Sequence, residues 1–302
     1  MRILLTGSTG VIGRRVVPLL IKAGHQLTAV ARSPEKRLAL ERAGAVSVMV
    51  DLFDPGAVQQ AVRGHDAVIN LATHIPPAAR AFLPGAWREN SRVRREVSAN
   101  LAAACGAHGV GRVIQESFAP IYADHGDRWI DETAVVKPAR YNRAILDAEA
   151  AASRGVVLRF GYFYGPDSDF TRAFVASVRK GRAQLLGRPE AYWSMVSHDD
   201  AATAVVAALD VGPGIYNVVD DEPLTRRELV DSIAAALGVS PPKLLPGWLK
   251  YLLGSLGETL ARSQRISNRK LKAASAWVPR WRSAREGMGE LAEEFRAATD
   301  DR

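Results

Sequence analysis

The sequence predicts an α/β fold, a doubly wound parallel sheet with a smaller C-terminal region, and three observations carry that expectation. Apolar strand-like runs alternate with amphipathic helical runs through the first half of the 302 residues. The first run, Arg2 to Thr6, ends in glycines at 7, 10 and 13, and a helical run follows at once with Ile12, Val16, Leu19 and Leu20 at helical spacing. Strand, glycine turn and helix start stand in the order that a dinucleotide-binding βαβ unit needs.

In that unit Gly7 makes the tight turn, Gly10 lets backbone amides approach a pyrophosphate, and Gly13 lets helix and strand pack closely. The unpaired N–H groups at the helix start then face the phosphate charge. Further strands are expected at Gln26–Ala31, Ser47–Val50, Ala67–Leu71, Arg112–Gln115 and Val156–Phe160, with helices at about 11–23, 34–43, 55–63, 86–108 and 139–153. Beyond Phe160 the pattern loosens into Gly-, Pro- and Asp-rich loops, with helices expected at Asp199–Leu209 and Thr225–Leu237. Residues 1–160 therefore read as a Rossmann-type NAD(P)-binding domain. Residues 161–302 read as mostly substrate-binding, with some segments returning to the sheet.

A hydrophobic fraction of 47% and a charged fraction of 24% suit a globular protein. The first strand follows Met1 directly and no run approaches a membrane span, so a cytoplasmic protein is expected. The one cysteine, Cys105, excludes an internal disulfide and reads as a small core residue. The net charge of +8 favours anionic partners. Its clusters, Arg92/Arg94/Arg95 and Arg262/Arg265/Arg269/Lys270/Lys272, lack nucleic-acid-module spacing and read as solvated helix faces. The expected partner is a small-molecule substrate, with neither nucleic acid nor membrane, and pairing into a homodimer is left open. No metal site is expected, since no histidines repeat at ligand spacing.

The second strand ends Ala31-Arg32-Ser33-Pro34 with no acid before Glu35, and a guanidinium there suits a ribose 2′-phosphate. NADP(H) is thus favoured over NAD(H). Asp51 and Leu52, after the third strand, are placed to contact an adenine.

Taken in order, these residues resemble the extended short-chain dehydrogenase/reductase family, also called the NAD-dependent epimerase/dehydratase family, over nearly the whole chain. Thr6-Gly7-Ser8-Thr9-Gly10-Val11-Ile12-Gly13 matches its TGxxGxxG motif, and Asp51-Leu52 its D-L pair. Leu71 and Ala72, after Asn70, are similar to the segment beside the cofactor. Leu158 to Pro166 is similar to the family's L-R-x-x-x-x-Y-G-P stretch. The resemblance implies hydride transfer between NADP(H) and a small carbonyl or alcohol. Tyr141 would be catalytic and cofactor-contacting, and Ser117 would assist it.

The family's lysine, four residues after the tyrosine, is Ile145 here, and its second serine is Phe118. An ammonium would lower the phenol pKa, and isoleucine does not. The alternative reading is therefore a catalytically silent NADP(H)-binding sensor or interaction protein. His74, past the fourth strand, is a candidate replacement acid. His198 is expected to precede a helix capped by Asp199 or Asp200. Residues Asp124 to Glu132 read as a lid with Trp129 packed inward, and Trp248, Leu252, Leu256 and Leu260 as a buried helix face.

Overall fold

Seven parallel strands run through the centre of the protein. The computed structural model describes residues 1–77, 80–183 and 185–300. The N-terminal part contains β1 (Arg2–Thr6), α1 (Gly13–Lys22), β2 (Gln26–Ala31), α2 (Pro34–Arg42), β3 (Val46–Met49), α3 (Pro55–Val62) and β4 (Ala67–Asn70). It continues through α4 (Arg88–Arg92), α5 (Ser98–His108), β5 (Arg112–Phe118), the short β6 (Trp129–Ile130), α6 (Ile145–Ala151) and β7 (Val156–Phe160). The remainder holds β8 (Tyr162–Tyr164), α7 (Asp169–Arg179), β9 (Tyr192–Trp193), β10 (Met195–Ser197), α8 (His198–Ala207) and β11 (Gly214–Val218). Last come β12 (Leu224–Thr225), α9 (Arg226–Leu237), α10 (Gly254–Ala261), β13 (Arg265–Ile266), α11 (Arg269–Ala274) and α12 (Ala284–Asp300).

The central sheet has the order β11-β7-β5-β4-β1-β2-β3, all neighbours parallel. Its order reverses between β1 and β4, so the crevice outside their carboxyl ends is where a ligand fits. Helices cover both faces, which is why β4 and β7 are buried along their whole length. One core layer joins β1, β2 and β7 to α1 and α8 through Val16, Leu20, Ala201 and Val205. The other packs Leu4, Val30 and Val68 against Val58, Leu101 and Cys105, whose thiol burial pushes up to about 11. A third cluster, with Phe174, Leu229, Ile233 and Met288, forms the C-terminal part from α7, α9 and α12.

Helix starts follow local chemistry. Ser33 caps α2 ahead of Pro34, and Thr225 with Glu228 forms a capping box on α9. Five expectations change. The helix expected at 86–108 carries a π-helical turn at Val93–Val97, and the one at 139–153 is a 3-10 turn at Arg140–Asn142 followed by α6. Ser197, not either aspartate, caps α8, because Asp200 is engaged by the amides of Arg280 and Trp281. Trp248 and Leu252 lie in a 3-10 helix, Gly247–Leu253, while Leu256 and Leu260 lie in α10, so the four-residue spacing does not make one continuous helix face. Trp248 and Leu252 are exposed. Trp129 is also exposed, held under the guanidinium of Arg265 rather than packed inward. Among the described residues no helix is long and apolar enough to cross a membrane.

Candidate active site

The turn after β1 is fixed by close backbone approach. Gly7 has φ +68°, and a Cβ on it would meet Leu71 O at 2.3 Å, beside the end of β4. A Cβ on Gly13 would meet Gly7 O at 2.1 Å. Gly10 differs, since its nearest neighbour would be Gly7 O at 3.3 Å. The protein itself barely needs a glycine at position 10, and the space it leaves opens into a cavity. The amides of Val11, Ile12 and Gly13 precede the first helical bond, Arg14 N–H to Gly10 O, and so form an anion-seeking helix start.

Below this turn the strand ends are tied in register. Thr6 Oγ1 donates to Asn70 Oδ1 at 2.6 Å, and Asn70 Nδ2 donates to Gln115 Oε1 at 2.9 Å. Ser8 is fully buried and donates to Val30 O at 2.7 Å, so its hydroxyl anchors β2 rather than facing a ligand.

Two cavities, each of about 250 Å³, meet at Gly7, Gly10, Leu71 and Thr73. The first continues past Thr9, Arg32, Asp51, Leu52, Phe53, Ala72 and His74. Arg32 is exposed at its mouth, and Asp51 accepts the Phe53 amide at 2.9 Å. His74 lies at this end with Arg32, while its own amide donates to buried Asn90 at 2.9 Å. The second runs along Val11, Ile12 and Gly13 to Ile75, Trp87, Phe118, Tyr141, Asn142, Ile145, Phe160 and Phe163. A dinucleotide fits these residues, with the helix start and Gly10 at the junction and a cation at one end.

Tyr141 reaches the second cavity, its ring 4.7 Å from that of Trp87. Burial raises its phenol pKa, Tyr162 adds to the rise, and a hydrogen bond with Thr259 and the charge of Arg262 oppose it. Ile145 and Phe118 occupy the wall beside it, so neither neighbour offers a proton or a charge.

Ser117 does not join Tyr141. Side chains alternate along a strand, and while Glu116 and Phe118 line the cavity, Ser117 points the other way, fully buried, donating to Glu149 Oε1. There it belongs to a buried network in which Arg159 donates to both Glu149 oxygens, at 2.8 and 2.7 Å, and to Tyr122 Oη at 2.8 Å. Tyr122 donates on to Asn217 at 2.9 Å. That serine is a structural group, contrary to the expectation from the motif.

Sequence reasoning missed the polar groups that do face the second cavity. Arg94, expected on a solvated face, is 5% exposed and pairs with Glu116, Nη2 donating to Oε1 at 3.0 Å. Glu116 Oε2 lies 2.8 Å from Nη1 but out of line with its N–H, and it is left without a hydrogen bond. Burial pushes the Glu116 carboxyl up, Arg94 opposes the rise, and Glu149 adds to it. Asn142 is 6% exposed with neither side-chain polar atom hydrogen-bonded. The period-two pattern around Phe118 was the available signal for Glu116. Arg262, also expected in solvent, is buried and donates to the carbonyls of Tyr122 and Lys137.

Fold and cradle together define an NAD(P)-binding α/β protein. The pattern of a family described as NAD(P)H-binding matches residues 7–211. The chain is 32% identical to a Streptomyces protein named 3-diazoavenalumate denitrifying reductase, covering 96% of this chain and 99% of that one. It is 30% identical to a Stenotrophomonas maltophilia 2-alkyl-3-oxoalkanoate reductase, covering 86% and 83%. The fold is shared with a human epimerase family protein crystallised with NADPH, at TM-score 0.81 and 22% identity over 97% and 99% of the two chains. It is shared too with the Thermus thermophilus UDP-glucose 4-epimerase in complex with NAD, at 0.76 and 25% over 99% and 100%. The chain belongs to the NAD(P)H-binding family, in its extended short-chain dehydrogenase/reductase branch, and is an NAD(P)-dependent oxidoreductase of that type.

Proposed function

We propose that this protein uses NADPH to reduce a carbonyl group on a small, largely apolar substrate. The observation that carries the reading is the junction of the two cavities at Gly7, Gly10, Leu71 and Thr73, with Arg32 at one end and an apolar wall at the other. In this reading the amides of Val11, Ile12 and Gly13 take the pyrophosphate. Thr9, Leu71 and Ala72 flank the ribose units, Asp51 and Leu52 meet the adenine, and Arg32 takes the 2′-phosphate. When bound, the coenzyme supplies the hydride.

Residues 1–160 hold the coenzyme and supply most of the substrate wall, and of residues 161–302 Phe163 reaches it. Tyr141 stands in the wall as a neutral phenol and donates a hydrogen bond to the substrate oxygen. Ile75, Trp87, Phe118, Ile145, Phe160 and Phe163 suit an aromatic or aliphatic body better than a sugar nucleotide. Reduction is the favoured direction because both relatives bear the name reductase. A cytoplasmic setting accompanies the choice of NADPH as reductant.

Titration calorimetry with NADPH and NADH tests the coenzyme part. NADPH is expected to bind more tightly, and Arg32→Ala to raise its Kd by about tenfold or more while leaving that of NADH unchanged. Equal effects on both coenzymes would remove Arg32 from 2′-phosphate recognition. Failure of the wild-type protein to bind either would end the reading.

A further inference from the structure

The second cavity is apolar except for a few groups, and two of these carry buried polar atoms that the protein leaves unanswered. Asn142 has a side-chain donor and an acceptor with no hydrogen-bond partner, and Glu116 Oε2, though 2.8 Å from Arg94 Nη1, makes no hydrogen bond. Leaving such groups unpaired is costly, and an apolar residue of similar shape avoids the cost. A bound carbonyl oxygen accepts from Asn142 Nδ2, and from Glu116 Oε2 when that oxygen carries a proton. We propose that Glu116 is the proton donor of this site and that Asn142 holds the substrate oxygen beside it, together replacing the relay whose positions are filled by Phe118 and Ile145, for a carbonyl compound with an aromatic or aliphatic body. The inference rests on the NADPH-dependent reductase reading and names the acid which that reading lacks.

The groups facing the Glu116 carboxyl decide its behaviour. Arg94 pairs with it from the π-helical turn, Glu149 of α6 acts on it through the strand, and Tyr141 stands in the same wall. Desolvation raises the carboxyl's pKa and Arg94 opposes the rise; in the proposed step the proton leaves Glu116 and Arg94, 2.8 Å away, stabilises the carboxylate that results. Tyr141 is the poorer acid, its phenol being raised by burial without an ammonium nearby.

The step balances in atoms and charge. The carbonyl carbon receives a hydride, two electrons, from the reduced coenzyme and forms a C–H bond. The C=O π bond breaks toward oxygen, and that oxygen takes the proton released as the Glu116 O–H bond breaks. The products are an alcohol, oxidised coenzyme and a Glu116 carboxylate, which water reprotonates in the open cavity.

The test uses the NADPH-loaded protein with benzaldehyde as probe. Glu116→Gln is expected to lower kcat by about 100-fold or more, to leave the calorimetric NADPH Kd within about twofold, and to abolish the ionisation of kcat seen in the wild type. An unchanged kcat, or a profile that keeps that ionisation, overturns the role of Glu116. Asn142→Leu is read without turnover. It should raise the melting temperature of the free protein by about 2–4 °C and erase the further rise that benzaldehyde gives the loaded wild type.

A variant that keeps the benzaldehyde-dependent rise overturns the binding site. A wild type that shows no such rise overturns the ligand class. Weaker NADPH binding by Asn142→Leu would assign the amide to the coenzyme's own carboxamide and overturn its substrate role. Loss of all these effects with NADPH binding intact leaves the coenzyme reading standing, whereas a wild type that binds no coenzyme sinks both.

Discussion

The guanidinium of Arg94 and the carboxylate of Glu116 form an ion pair, 2.8 Å at its shortest, in the wall of the second cavity, with side chains only 5% and 13% exposed. A buried pair loses much of its attraction to desolvation, but removing one partner strands the other charge. Arg94→Met is therefore expected to destabilise the protein by about 3–5 kcal/mol at neutral pH.

The pH dependence of that loss follows from the direction of the Glu116 shift. A carboxyl with a raised pKa in the folded state contributes stability that is fully present below its unfolded value and lost as pH rises through the folded one. Without Arg94 the folded value climbs further. The deficit of Arg94→Met should be smaller at pH 5 than at pH 8 in urea denaturation, and a deficit independent of pH would show that Glu116 is not the stranded charge.

Gly10 and Gly13 should fail in different ways. Gly13→Ala drives a Cβ into Gly7 O and is expected to cost at least about 2 kcal/mol of stability. Gly10→Ala has nearly enough room, so it should melt close to the wild type yet raise the coenzyme Kd about tenfold, roughly 1.4 kcal/mol. Thermal denaturation and calorimetry on the two variants separate these outcomes. Normal coenzyme affinity in Gly10→Ala would mean that the coenzyme does not approach this turn.

Ser117→Ala removes a donor from the Glu149–Arg159 network and should lower stability by about 1–2 kcal/mol without altering turnover. A large loss of kcat at unchanged stability would restore the serine to the chemistry.

His198 holds α8 to the loop after β8 through Asp167, which accepts from Nδ1 at 2.9 Å. The same carboxylate is shared by Arg14 and Arg15, so the imidazole sees net positive charge. Burial and then those two guanidiniums lower its pKa to about 4 from 6.5, while Asp199 opposes them. A depressed histidine contributes stability that is present above its unfolded value and is lost as pH falls from 6.5 toward 4. About 2 kcal/mol should disappear between pH 6.5 and 5, and His198→Gln should flatten that part of the stability curve. Chemical denaturation at the two pH values is the measurement, and an identical slope in the variant would exclude His198 as the titrating group.

The sheet and the glycine turn were legible in the residues alone. In Gly7, Gly10 and Gly13 the constraint is local, since strand, turn and helix start are consecutive, and backbone sterics decide which positions exclude a side chain. The vacancies at the lysine and second serine positions were equally legible, as Ile145 and Phe118. Only packing set which polar groups line the second cavity. Arg94 meets Glu116 across 22 residues and through a π-helical turn that no apolar spacing announces. Asn142 faces the cavity from a 3-10 turn where the pattern reads as α-helix. Which buried atoms remain unpaired depends on every neighbour at once, and that sum exists only after the chain has packed.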